Sequence, residues 1–358
     1  MRPIRFTLAF VVSLSVLVPL QLHAEDPAPD PPDRRWVLSI QGNPAGEITL
    51  REIDEEDGRT EVWHAEFNDR GRGPDLTTRI TYGGDGRPTR IGTRIGTRIE
   101  TVGHDYLKAP VEESFVRDGA TARWSTTDGS GERTIDGPAF YLSADSGAPE
   151  QALLARALMT VPGHALPLLP EGEARLDVLG TRQVGVGDRS ETLTHVAITG
   201  LGFTPSTLWL DADGGFFAVL DGWFTVIPEG WEPVAEILAA ADRRAEQAFF
   251  ASLPKRLGRA PAALAVVGAD VFDPSTGEVA PGRTVLVEGD RITAVGPDGD
   301  VEIPEGAERI DAGGRTLLPG LWDLHVHASP QDGLLHLAAG VTSVRDLAND
   351  VDRVTRLR

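Results

Sequence analysis

His325 and His327 stand two apart at the end of the stretch Leu317-Leu-Pro-Gly-Leu-Trp-Asp-Leu-His-Val-His327. A strand turns successive side chains to opposite faces, so both imidazoles point the same way. Two neutral imidazoles on one face can grip a single divalent metal. Asp323 shares their parity and is expected to act from behind them, through a hydrogen bond to the backbone or to a metal-bound group. The other histidines offer less. His64, His104, His164 and His195 show no ligand spacing, so ordinary strand or loop roles are expected for them. His336 falls in a helical stretch, where a surface or core role is expected.

Other chemistries leave no trace. No Gly-rich phosphate loop with a following Lys occurs, and no Gly-x-Ser-x-Gly nucleophile turn. Asp211-Ala-Asp-Gly-Gly215 starts like a calcium loop but lacks the closing Glu, so a simple turn is expected. Trp209, Trp223 and Trp231 fit core packing better than a binding groove. There is no Cys, hence no disulfide framework and no Cys-linked lipid. The net charge of −20 argues against nucleic acid or an anionic membrane as partner. A small-molecule substrate is the expected partner, and oligomeric state is not encoded visibly.

The elements that must position these residues follow from pattern. Residues 1–24 read as a secretory signal: Arg2 and Arg5 are basic, Phe6 to Leu20 is apolar, and Leu22-His-Ala24 is a tolerable cleavage site. A periplasmic or secreted location follows, with no membrane contact after cleavage. Residues 25–33 form an acidic, Pro-rich linker. From 34 to 231 short alternating runs broken by turns predict an antiparallel all-β domain, one curved sheet or a sandwich. Within it, Thr89 to Ile99 repeats Thr-Arg-Ile-Gly, a period that keeps each residue type on one face. Pro149 to Thr160 predicts a short helix. Val234, Ile237, Leu238, Ala241, Ala245, Phe249 and Leu253 predict an amphipathic connecting helix within 232–259, ended by Pro254. Residues 260–319 turn to tight hairpins, with Gly289-Asp290 as a two-residue turn. From 320 to 358 strand, helix and strand open a parallel α/β fold.

Four segments carry a resemblance: Thr284-Val-Leu-Val-Glu-Gly-Asp-Arg-Ile-Thr-Ala-Val-Gly296, Ile310-Asp-Ala-Gly-Gly-Arg-Thr-Leu-Leu-Pro-Gly320, Asp323-Leu-His-Val-His327 and Ala339-Gly-Val-Thr-Ser-Val-Arg-Asp346. Together they resemble the amidohydrolase superfamily, nearest its imidazolonepropionase- and prolidase-like branch. The likeness covers the last quarter of the chain. It implies a mixed architecture: an N-terminal antiparallel all-β domain, then a small β-sandwich, then the first strands of a (β/α)8 barrel. It implies a divalent metal, zinc foremost, with His325 and His327 as ligands. It also implies hydrolysis of amide, cyclic amide or dipeptide carbon–nitrogen bonds by a metal-activated water. Arg345 and Asp346 are expected to form an internal polar pair at the end of the second strand. The family's further ligands and its general base have no counterpart here. A barrel takes roughly 250 residues, so residues 328–358 are too few for one. The sandwich and the barrel are thus expected to be incomplete, and this chain to be an inactive portion of a longer secreted enzyme. The alternative is a non-catalytic chain whose β domain serves as a binding or structural module.

Overall fold

The structure is a computed structural model that describes residues 33–55, 58–83, 98–143, 147–220, 223–328, 332–347 and 355. The expected signal, most of the Pro-rich linker, and the repeat from Thr89 to Thr97 lie outside the described residues.

Fifteen strands form one sheet. The first eight are β1 (Arg34–Ile40), β2 (Asn43–Glu55), β3 (Gly58–Phe67), β4 (Asp75–Gly83), β5 (Arg98–His104), β6 (Pro110–Asp118), β7 (Thr121–Thr126) and β8 (Gly129–Thr134). The short β9 (Phe140–Tyr141) leads to helix α1 (Ala148–Thr160). Then follow β10 (Ala165–Leu169), β11 (Glu173–Val186), β12 (Arg189–Thr199), β13 (Ser206–Leu210), β14 (Phe216–Leu220) and β15 (Phe224–Pro228). The spatial order is 8-7-6-5-4-3-2-1-15-14-13-12-11-10-9. Two meanders therefore meet at β1, which pairs antiparallel with both β2 and β15. Among the described residues of this sheet only β9 and β10 run parallel, because α1 intervenes between them.

Of the two β architectures expected, the curved single sheet is the one found. Phe115 of β6 and Tyr141 of β9 stack with ring centroids 4.4 Å apart, although their strands lie toward opposite ends of the sheet order. The sheet therefore wraps until its ends face each other. Its concave side is filled by α1, whose Leu154, Ala155 and Leu158 are fully buried in one cluster with Trp36, Ile80, Phe115 and Leu208. The start of α1 is fixed by Glu150, whose carboxylate accepts the Gly147 amide at 3.0 Å.

The convex side of β13 and β14 carries a second cluster. Trp209, Phe217, Trp231, Val234 and Leu238 pack there, against a turn at 232–234 and helix α2 (Ala235–Leu257). Alternation explains the two layers. Leu208, Leu210 and Phe216 face inward, while Trp209 and Phe217 face α2. A buried polar contact sits in this seam. His195 Nε2 and Asp242 Oδ1 approach to 2.6 Å, off the line of a hydrogen bond, and Trp209 Nε1 donates to Asp242 Oδ2 at 3.2 Å. The helix does not stop at Pro254 as expected but runs to Leu257. A proline removes one backbone bond, and Lys255 and Arg256 favour the carbonyl end of the helix macrodipole in that last turn. Trp209 and Trp231 are core residues, as expected, whereas Trp223 is exposed.

A five-stranded unit follows: β16 (Ala263–Asp273), β17 (Glu278–Glu288), β18 (Arg291–Pro297), β19 (Glu308–Asp311) and β20 (Thr316–Leu317). Its first three strands form hairpins, and Glu288 pairs with Arg291 across the Gly289-Asp290 turn. β19 and then β20 run parallel along the other edge of β16. Its core is small, built on Ala263, Ala265 and Leu286. The last elements are β21 (Leu321–Val326), α3 (Asp332–Ala338) and β22 (Val341–Asp346), a parallel strand pair bridged by a helix. No helix among the described residues is long and apolar enough to cross a membrane.

Candidate metal centre

β21 positions the histidine pair. Gly320 precedes it because a side chain there would collide with Thr342 of the neighbouring strand. β21 then pairs parallel with β22, Leu321 opposite Val341 and Val326 opposite Asp346. Val326 is buried, while His325 and His327, on the opposite face, are exposed. Their ring centroids are 5.5 Å apart with planes tilted by 51°. That spacing lets both rings reach one ion after small side-chain rotations.

Two carboxylates hold the backbone around them. Asp323 Oδ1 accepts the His325 amide at 3.0 Å. Asp346 Oδ2 accepts the Ala328 amide at 2.8 Å, tying the end of β21 to the end of β22. Charge-assisted bonds of this kind are among the stronger ones and fix a strand end well. Neighbouring residues of a strand point to opposite faces, so Asp346 turns to β21 while Arg345 is exposed. His336 is half-buried on α3.

The arrangement supplies two nitrogen donors for a divalent ion. A catalytic zinc site takes three protein ligands. Among the described residues no third His, Asp or Glu atom joins His325 and His327 in a compact donor group. The face of β21 opposite the pair carries exposed apolar side chains, with Trp322 69% exposed and Leu324 57%, and Leu337 of α3 is 63% exposed. These side chains have the look of a face built to be packed against.

Elsewhere the structure joins residues that spacing along the chain did not connect. His64, Glu66 and Asp75 bring their donor atoms within 4.8 Å of one another. The hairpin of β3 and β4 does this, and reading its register from the turn residues 68–74 was the signal available. A cavity of about 320 Å3 opens beside α1, lined by Arg34, Arg59, Glu61, Trp63, Arg156 and Asp211. Burial and the nearby Glu61 carboxylate push the Tyr82 phenol well above its ordinary range.

No family model matches the chain. It is 36% identical over 95 residues to adenine deaminase 3 of Rhizobium meliloti (strain 1021), covering 26% of this chain and 14% of that protein. It is 46% identical over 56 residues to an imidazolonepropionase of Rubrobacter xylanophilus (strain DSM 9941 / JCM 11954 / NBRC 16129 / PRD-1), covering 14% of each. Among solved structures, a prolidase in complex with N-methylphosphonate-L-proline has 28% identity and a TM-score of 0.20, over 24% of this chain and 25% of that one. The chain thus spans about one-seventh of the length of the curated relatives it matches.

Proposed function

We propose, from the premise that a partial region of this chain belongs to the amidohydrolase superfamily, that it contributes to a hydrolase of carbon–nitrogen bonds. The observation that carries the reading is the pair His325 and His327 on one face of β21, with Asp323 and Asp346 bracing the backbone on either side. Zinc is the ion we assign to it, with two imidazole nitrogens as donors. Such an ion, when bound, lowers the pKa of a water and polarises a carbonyl. The chain's own part is to hold the rings. Asp323 fixes the His325 backbone, and Asp346 fixes the Ala328 amide just after His327. β21 and β22 are the first two strands of the (β/α)8 barrel in this reading, and the substrate is a small amide, cyclic amide or dipeptide. The basic and apolar residues before Ala24 support export to the periplasm or beyond.

The test is hydrolysis by the protein as its own gene produces it, with and without zinc, on amides, cyclic amides and dipeptides. We expect metal-dependent turnover that falls at least about a hundredfold in His325→Ala, in keeping with loss of a metal ligand. Turnover indifferent to zinc or to His325→Ala refutes the proposal. A second reading is favoured by the cavity beside α1, which lies in a sheet with its own core and is remote in sequence from β21. In that reading the N-terminal sheet is a small-molecule binding module, and the hydrolase assay stays silent.

A further inference from the structure

The outward face of β3 and β4 gathers metal donors from two adjacent strands. Trp63, Ala65 and Phe67 of β3 belong to the interior cluster, so the alternate residues His64 and Glu66 face out. Glu66 lies directly opposite Asp75 on β4, and Asp75 lies directly opposite His104 on β5. His64 Nε2 and Asp75 Oδ1 are already 3.0 Å apart. The donor atoms of His64, Glu66 and Asp75 all lie within 4.8 Å of one another. Ligands of a tetrahedral zinc are separated by about 3.4 Å, given bonds of about 2.0–2.1 Å, so modest rotations suffice.

A second observation points the same way. Two carboxylates directly opposite on paired strands repel and destabilise the sheet. Among the described residues the Glu66 side chain has no hydrogen bond or ion pair to offset this. Asp75 has only the imidazole of His64, which is a cation solely when protonated. A bound cation removes the repulsion and uses every group in the cluster. The donor set of imidazole and carboxylate suits zinc and neighbouring transition metals.

We propose that His64, Glu66 and Asp75 form a divalent transition-metal site. His104 lies in register opposite Asp75, but its Nδ1 faces the Asp105 carbonyl at 3.4 Å, so it stands beside the three donors. The site is independent of His325 and His327 and clamps two strands of the sheet. It does not rest on the hydrolase reading.

Zinc binding to the full chain is measured by titration calorimetry in a His325→Ala/His327→Ala background, which silences the other pair. We expect one zinc per chain, a melting temperature raised by zinc, and a loss in affinity for His64→Ala beyond the roughly 10- to 100-fold that an outer partner costs. Glu66→Gln carries an opposite-signed readout: it weakens zinc binding yet raises the melting temperature of the metal-free protein, because the repulsion is gone. A metal-free melt of each variant confirms folding, and Asp75→Asn replaces any that fails. Absence of zinc binding in this background, or binding unchanged by His64→Ala and Asp75→Asn, overturns the site.

Discussion

Replacing Asp242 with Ala should undo the seam that docks α2 on the sheet. Asp242 and His195 are almost wholly buried, with side-chain exposures of 8% and 7%. The carboxylate serves two partners at once, His195 at 2.6 Å and the Trp209 indole N–H at 3.2 Å. The imidazole also stacks on Trp209, with centroids 4.2 Å apart and planes 5° from parallel. Stranding the indole donor costs about 1–3 kcal/mol. Removing the carboxylate also leaves the buried His195 ring without its polar neighbour, a cost of the same order. These overlap, because one carboxylate meets both needs, so the total expected is about 2–4 kcal/mol. The assay is urea unfolding followed by tryptophan fluorescence. A cycle with His195→Ala should give a coupling of about 0.5–3 kcal/mol. The paired change His195→Leu/Asp242→Leu should cost less than Asp242→Ala alone, since the imidazole is then not left buried without its polar neighbour. A single-mutant loss below about 1 kcal/mol with no coupling, the range of ordinary surface changes, would refute this account of the seam.

Three further outcomes follow from the geometry. Leu154→Ala empties a fully buried position of α1 and should cost about 2–5 kcal/mol in the same unfolding assay; a neutral result would mean α1 does not fill the sheet. Asp298 accepts the Thr284 hydroxyl at 2.6 Å and the Gly268 amide at 3.1 Å, and these bonds hold its carboxyl below the ordinary range. Its contribution is therefore present above the unfolded pKa of about 3.9 and is lost as pH falls through the lower folded value, so Asp298→Asn should flatten the acid side of a melting-temperature profile. His325→Ala, at an exposed position, should shift the metal-free stability of this chain by no more than about 0.5 kcal/mol, and a larger shift in a thermal melt would show that the ring has a packing role.

Much of the sheet was legible because its strands alternate and its turns carry Gly, Asp and Asn. Ser206–Leu210 and Phe216–Leu220 flank the turn expected at Asp211 to Gly215, and Asp211 closes it by accepting the Asp213 and Gly215 amides. Long-range closure was not legible. Nothing local in Phe115 or Tyr141 announces that their rings stack, because sheet curvature is the sum of small twists over many strands. The end of α2 was misjudged for a different reason. Pro254 has a strong local preference, yet α2 runs past it for another turn to Leu257.

The two histidine clusters show the same division. His325 and His327 are neighbours along one strand, so the period of the strand alone puts them on one face. His64 and Asp75 are eleven positions apart, and His104 and Asp75 farther still; only the pairing of β3 with β4 and of β4 with β5 makes them neighbours. Register depends on where each turn reverses the chain, and a slip of one residue would send Glu66 inward and Trp63 outward. That slip is barred by the core, because Trp63 packs against Trp36 with ring centroids 5.3 Å apart. The buried tryptophan pair thus fixes the exposed donors, and a substitution such as Trp36→Ala should disturb zinc binding on the far face of the sheet as well as stability.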